Sequence, residues 1–360
     1  MRNLKTLGAA LAISAGLSAS GPAVADGPTV IKAVGTWGSL TNYQKHEGPF
    51  WNERIAKASG GSIIGEIKPQ TELGLKGFEI MRLVKNGVFD FAFGLPGYVA
   101  AENAVFEGAD LSSVTQDIET ERSVAKAYFP ILEKAFAEIY NAKLLMLYPF
   151  PSQTLWCNAE VNGIADLKGK KVRVYATTLG DFVEGVGGTS VTVPFAEVIP
   201  ALEKGVVDCG ITGTMSAYKA KWHQVATHAY TLRVGWGLAF GAMNMDKWNA
   251  MGAEKQALLQ KELAILNDQM WTETAAEDGT LSRTDTDQLS RRSSMLRLID
   301  AAHRLSRWLV WLGGALILGS AFLVTFEVFV RKFFNMSIAG ADEISGYAFG
   351  VATSLGLAFA

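Results

Sequence analysis

The chain has 360 residues and carries 33 lysines and arginines against 35 aspartates and glutamates, a formal net charge of −2. So even a balance gives no broad field to draw in nucleic acid or an anionic membrane surface, and no nucleic-acid partner is expected. With 49% hydrophobic residues, the chain can bury more than one core.

Residues 1–25 read as an export signal. Arg2 and Lys5 give a positive start, 7–17 is an alanine-rich apolar run, and Ala23-Val24-Ala25 is a small-residue cleavage pattern. Fold reasoning therefore begins near Asp26. Export into an oxidising compartment would let Cys157 and Cys209 pair. Two cysteines are too few for a disulfide framework, however, and buried inert thiols are the simpler expectation.

From there extended and helical patterns alternate. Residues 29–37 are a strand candidate, 44–58 a helix stopped by Gly60-Gly61, and 62–68 a second strand. Residues 75–85 place Phe78, Met81, Leu83 and Val84 at helical spacing before Asn86-Gly87, and 89–94 alternates as a strand. A helix is predicted over 117–140 and a strand over 143–150. The second half repeats the rhythm, with strands at 155–158, 171–175, 190–193 and 207–212 and helices at 178–186 and 196–204. The spacing predicts a longer helix over 251–277, with Leu259, Leu263, Leu266 and Met270 as its apolar stripe. This is an α/β pattern with mostly parallel sheets, and its length suits two lobes with a long helix lying across both.

The C-terminal part is different material. Residues 280–300 are polar and rich in serine and arginine, as a junction would be. Residues 308–330 are apolar apart from Glu327 and a few small polar side chains, long enough to cross a hydrocarbon core of about 30 Å. A second apolar run occupies 344–360. Arg291, Arg292, Arg297, Arg304 and Arg307 precede the span, whereas only Arg331 and Lys332 follow it before the next run. The positive-inside rule would put the N-terminal side in the cytoplasm, opposite to where an export signal sends residues 26–290. A long exported domain would override the charge bias, leaving the tail inverted or acting only as an anchor.

No catalytic constellation is visible. His223 and His228 are five apart, which suits neither a helical metal pair nor a zinc spacing. The stretch "GTMSA" is no nucleophile elbow, and "GVGGT" follows a helix where a phosphate loop would open one. Neither metal nor cofactor is expected. The residue that stands out is Arg173 in "ADLKGKKVRV" (165–174), a guanidinium between Val172 and Val174 on a short strand. It could sit on a solvent-facing edge. It could equally stand at a strand mouth in the cleft between two lobes and grip a carboxylate through parallel hydrogen bonds.

Several segments in order resemble one family. "TELGLKGFEIMRLVKNGVFDFAF" (71–93), "GIADLKGKKVRV" (163–174), "VPFAEVIPALEKGVVDCGI" (193–211) and "NMDKWNAM" (244–251) are similar to the substrate-binding subunit of TRAP transporters, the tripartite ATP-independent periplasmic family. The resemblance implies a two-lobed periplasmic binding protein with a hinge that closes over a small organic acid. It would deliver the acid to large and small membrane subunits driven by an ion gradient. It implies lobe I from 26–150 with 237–279, including the connecting helix, and lobe II from 151–236. In that family the arginine of this motif clamps the ligand carboxylate, which falls on Arg173. A second family arginine has Gln153 at about its place, and Thr212 or Thr214 would stand in for a family asparagine. Trp37, Asn42, Tyr43, Glu72, Phe195 and Trp236 fall where loops border the cleft, each aromatic being open to core packing or ligand stacking. Glu197 could face its own helix N-terminus or orient Arg173. The tail, 301–360, resembles the truncated start of the small membrane subunit, so the chain also reads as a fusion of two adjacent genes. A membrane-tethered sensory or scavenging receptor, or a non-functional fusion product, is the alternative to transport.

Overall fold

A computed structural model describes residues 27–334 and 347–348. The expected export signal, and the second apolar run apart from those last two residues, lie outside the described residues.

In chain order, β1 (Thr29–Gly35) leads into helical turns from Asn42 onward that end in α1 (Ile55–Ala58). Pro49 lies between two π-helical stretches, Asn42–Glu47 and Phe50–Arg54. Having no N–H, it cannot continue the regular ladder there. After β2 (Ile63–Pro69), the helix expected over 75–85 forms only as α2 (Ile80–Lys85). Gly74 and Gly77 take left-handed φ of 68° and 102°, which ends helical geometry ahead of it. β3 (Phe91–Gly94) follows, then α3 (Ile118–Tyr140), capped by Asp117 accepting from the Thr120 N–H at 2.8 Å and ended by left-handed Asn141. β4 (Ala142–Pro149) completes the first half.

The second half runs β5 (Gln153–Cys157), β6 (Lys171–Val174), α4 (Thr177–Gly185), β7 (Thr189–Thr192), α5 (Val198–Glu203), β8 (Cys209–Gly213) and α6 (Thr214–Lys219). Then come β9 (His228–Tyr230), β10 (Leu238–Asn244), α7 (Met245–Ala250) and α8 (Ala253–Phe334).

Two five-stranded sheets result, β2-β1-β3-β10-β4 and β7-β6-β8-β5-β9. The architecture is the expected two-lobed α/β fold, but the sheets are mixed and not mostly parallel. β1 pairs in parallel with β2 and β3, while β10 runs antiparallel to both β3 and β4. In the second sheet β6 is parallel to β7 and β8, and β5 is antiparallel to β8 and β9. The reversed strand in each sheet comes from the chain crossing between lobes: β5 enters from β4, and β10 returns to the first sheet. All seven residues of β10 are buried, so it shows none of the two-residue alternation that marks a half-exposed strand.

The cysteine expectation is corrected. Cys157 and Cys209 form a disulfide between directly opposed residues of β5 and β8. The antiparallel register that sets them face to face comes from the lobe crossing, which cysteine count does not reveal.

α8 buries Leu259, Leu263, Leu266 and Met270 fully or nearly so, against β4 of the first lobe and α6 of the second. Trp271 Nε1 donates to the Leu147 carbonyl at 2.8 Å, and Arg54 meets Glu262 at 3.0 Å. Further on, Trp311–Phe333 is long and apolar enough to cross a membrane, and Trp308, Trp311 and Phe322 stand well exposed.

One carboxylate is buried where lobe I meets the turn after β1. Glu47 accepts from the Thr36 N–H at 2.7 Å, the Thr36 hydroxyl at 2.8 Å and the Tyr148 hydroxyl at 2.9 Å. Burial outweighs these donors and pushes its pKa from 4.5 up to about 7. Between those values the folded chain keeps a proton that the unfolded chain has released, so stability should fall as pH rises through that window. Glu121, pushed up to about 8 by burial and the Asp110 carboxylate, adds a slope of the same sign. Glu47→Gln is expected to remove on the order of 3 kcal/mol of the loss between about pH 5 and pH 8. Chemical denaturation across that range measures it, and an unaltered slope would refute the assignment.

Candidate functional site

Two segments carry the chain between the sheets and lie side by side. The Phe150 N–H donates to the Gly237 carbonyl at 3.2 Å, and the Gln153 N–H to the Gly235 carbonyl at 2.7 Å. Asp110 holds the returning segment, accepting from the Trp236 and Leu238 N–H groups at 3.2 and 2.9 Å. Gly237 has φ of 63°, and a Cβ there would stand 2.9 Å from Gln153 Nε2 and 3.2 Å from the Tyr175 hydroxyl. Only glycine fits that crossing without displacing both.

Arg173 is central to what these crossings frame. β6 is an interior strand, so the guanidinium is 1% exposed and the solvent-facing alternative falls away. Its Nε donates to the Val193 carbonyl and one Nη to the Ile211 carbonyl, each at 2.8 Å. The Tyr98 hydroxyl, from across the cleft, is close enough for the guanidinium to act on its titration. The rings of Tyr175, Phe195 and Trp222 lie 5.4, 5.9 and 5.8 Å from its central carbon, close enough for cation–π attraction. Burial lowers the arginine pKa, while the neighbouring tyrosine hydroxyls act in the opposite direction. Burial likewise pushes Tyr98 up to about 12. A guanidinium remains charged throughout the physiological range.

A small cavity of about 20 Å³ lies beside Arg173. Trp37, Gln153, Phe195 and Thr212, all named from sequence, line it together with Arg173. Trp37 meets Phe195 at 5.1 Å and Phe150 at 5.7 Å between ring centres. Gln153 donates its Nε2–H to the Pro151 carbonyl at 2.9 Å.

The other named residues are placed elsewhere. Asn42 is buried in the first helical turns, and the Tyr43 ring covers Gly35. Glu72 is exposed on the loop after β2. Thr214 opens α6, next to the cavity-lining Ser216, and its buried hydroxyl has no hydrogen-bond partner among the described residues. Trp236 packs under Arg233 on the crossing. Glu197 turns away from Arg173 and pairs with Lys76 of the opposite lobe at 2.6 Å.

Tyr98, Tyr175, Leu40, Phe150 and Ser216 also line the cavity and were not foreseen. Tyr98 follows Pro96 in a single 3-10 turn after β3, and Phe150 sits at a lobe crossing. The glycines of "GWG" (235–237) were the available signal, since paired glycines on a crossing announce close approach.

The lobes also meet away from the cavity. Glu107 accepts from the Thr178 N–H through both oxygens, at 3.2 and 3.1 Å, at the start of α4. The Ser112 and Thr178 hydroxyls are 3.1 Å apart. A carboxylate at a helix N-terminus contributes roughly 0.3–1 kcal/mol, more when partly buried. Glu107→Ala is therefore expected to weaken ligand binding about fivefold by disfavouring the closed lobes. Calorimetry checks it, and unchanged affinity would show that closure does not depend on this contact.

Residues 34–286 match the family described as bacterial extracellular solute-binding protein, family 7. The ectoine-binding periplasmic protein TeaA of Halomonas elongata is 21% identical over 189 residues, covering 51% of this chain and 54% of TeaA, about half that relative's length. The C4-dicarboxylate-binding periplasmic protein DctP of Rhodobacter capsulatus is 25% identical over 268 residues, 74% of this chain and 79% of that one. A solved structure of DctP7, a Bordetella pertussis extracytoplasmic solute receptor binding pyroglutamic acid, aligns at a TM-score of 0.67 and 21% identity, covering 73% of this chain and 85% of that one. That likeness speaks to the fold, while the family match runs from β1 into α8 across both sheets. The chain belongs to the family 7 bacterial extracellular solute-binding proteins.

Proposed function

We propose that the chain is an extracytoplasmic receptor that closes its lobes over a small organic acid and hands it to the membrane subunits of a TRAP-type transporter. One observation carries the reading: a fully buried guanidinium at the interlobe cavity, held by backbone carbonyls and aromatic rings with no carboxylate bonded to it among the described residues. Two of the five guanidinium N–H groups are engaged by the Val193 and Ile211 carbonyls, which leaves donors for a bound carboxylate. A charge kept out of water in this way is costly unless an anion completes it. Gln153 and Thr212 would meet the rest of the ligand, and Trp37 and Phe195 would cover its body. The named relatives bind ectoine, C4-dicarboxylates and pyroglutamic acid, which supports a small polar solute without choosing one.

A thermal-shift screen of the purified chain against an organic-acid library tests the reading, followed by calorimetry on the hits. Carboxylates should raise the melting temperature while neutral sugars and amines leave it unchanged. A library in which no carboxylate stabilises the chain would overturn it.

The exposed apolar helix Trp311–Phe333 favours a second reading for delivery, in which the receptor is tethered to the membrane and senses or scavenges the acid without transport. Ligand-dependent uptake by cells holding the matching large membrane subunit, against cells lacking it, separates the two.

A further inference from the structure

We propose that Tyr98 and Tyr175 form the door of the binding cavity: a ligand reaches Arg173 from an outer groove by passing between their two rings, and contact between the rings seals it in. The proposal rests on the receptor reading above and adds the route into and out of its site.

Two hollows share this wall. One is the small cavity beside Arg173, and the other is a groove of about 360 Å³ between the lobes. Thr177, Asp181, Glu184 and Thr192 line the groove and are exposed, so it is open to water. Among the described residues, Tyr98 and Tyr175 are the two that line both hollows. Tyr98 comes from lobe I, in the turn after β3, and Tyr175 from lobe II, directly after β6. Both are buried, and their ring centres stand 6.0 Å apart with the planes at 62°. That is contact distance for an edge-on aromatic pair, so nothing of ligand size passes between them in this form.

The two leaves of the door are mounted differently. Tyr175 lies against the guanidinium, 5.4 Å from its central carbon, and Arg173 is itself tied to the Val193 and Ile211 carbonyls. Tyr98 is held by rings alone on its two flanks. Phe78, which lines the groove, stacks on it at 4.3 Å, and Trp37, which lines the cavity, meets it edge-on at 6.1 Å. Gly77 lies under the same ring with φ of 102°, and a Cβ there would stand 2.4 Å from it, so only glycine leaves the ring in place. Ring contacts tolerate sliding better than directional hydrogen bonds, which makes Tyr98 the leaf that moves. The frame is tight beside it, since a Cβ at Gly97 would stand 3.0 Å from the Ala176 Cβ of the opposite lobe. Toward the crossings the lobes are pinned by Glu107 on the Thr178 N–H, which leaves the groove as the way out.

Diacetyl in borate buffer, a small arginine reagent, tests this on the full chain in detergent, with the labelling rate of each arginine read by peptide mass mapping. In the wild type Arg173 should react at least about tenfold more slowly than Arg82, whose side chain is 65% exposed. Tyr98→Ala should raise the Arg173 rate at least about tenfold and leave Arg82 unchanged, whereas Tyr98→Phe keeps the ring and should match the wild type. Leu40→Ala is the control for general loosening. Leu40 lines the cavity but not the groove, so its truncation enlarges the cavity without opening the door and should keep Arg173 slow. Gly97→Leu wedges the frame open with both tyrosines in place and should label as fast as Tyr98→Ala. Should Tyr98→Ala not fold, Gly97→Leu and Leu40→Ala decide. Arg173 labelling as fast as Arg82 in the wild type overturns the proposal, as does an unchanged rate in folded Tyr98→Ala or equal rates in Leu40→Ala and Tyr98→Ala. No acid enters the test, so its failure leaves the receptor reading standing, and that reading falls only with the organic-acid screen.

Discussion

Replacing Arg173 with alanine is expected to weaken binding of the tightest acid found by screening about 30- to 5,000-fold, on the order of 2–5 kcal/mol. Two losses add. The ligand carboxylate would be enclosed by Tyr98, Tyr175 and Phe195 with no cation opposite, and the Val193 and Ile211 carbonyls would lose the donors they now meet at 2.8 Å. Arg173→Lys separates the two effects. An ammonium restores charge but cannot serve both carbonyls and two ligand oxygens at once, so it should recover only part of the affinity. Arg173→Met keeps the volume without the charge and should bind as poorly as alanine. Calorimetry on all three, with melting curves to confirm folding, gives the answer. Affinity retained in the alanine variant would mean the carboxylate is held elsewhere, and the functional reading would lose its support.

Arg173 was legible because its neighbours contradict it: a cation between two valines on a strand asks for a partner, and the strand's interior place in the sheet supplies carbonyls and rings. β2 and α3 were legible for a similar reason, since each alternates buried and exposed positions along its length. β10 was not, because every one of its residues is buried and a uniform pattern carries no period. The cavity's own aromatic walls divide the same way. Phe195 falls inside a segment that resembles the family, whereas Tyr98 acquires its role only when two lobes bring it within 6.0 Å of Tyr175. Glu197 shows the limit most clearly. Its place one turn into a helix left open whether it met that helix's N-terminus or oriented Arg173, but Lys76 from the opposite lobe takes its carboxylate. Glu47 fell within a stretch (44–58) read only as a helix, and its burial depends on Thr36 from the turn after β1 and Tyr148 from β4.

Reducing the Cys157–Cys209 bridge is expected to cost about 4 kcal/mol, because it releases a 52-residue loop that the oxidised unfolded chain must keep closed. At roughly 2–4 °C per kcal/mol for a domain of this size, the melting temperature should drop by about 8–16 °C in reductant. A Cys157→Ala, Cys209→Ala double variant should melt at the lower temperature and ignore reductant. An equal melting temperature, with thiol titration showing complete reduction, would sink the estimate. The bridge also bears on the site. It joins β5, which begins at Gln153, to β8, whose Ile211 carbonyl holds Arg173 and whose Gly210 pairs with it. Those strands stay in register through their own ladder once folded, so loss of the covalent tie should lower stability far more than affinity. A reduced protein that still melts cooperatively is therefore expected to bind its acid within about threefold of the oxidised one. That separation matters for a chain of an extracellular solute-binding family. The bridge would act on the fraction of receptor that survives outside the cytoplasm, while Arg173 sets what each survivor can hold.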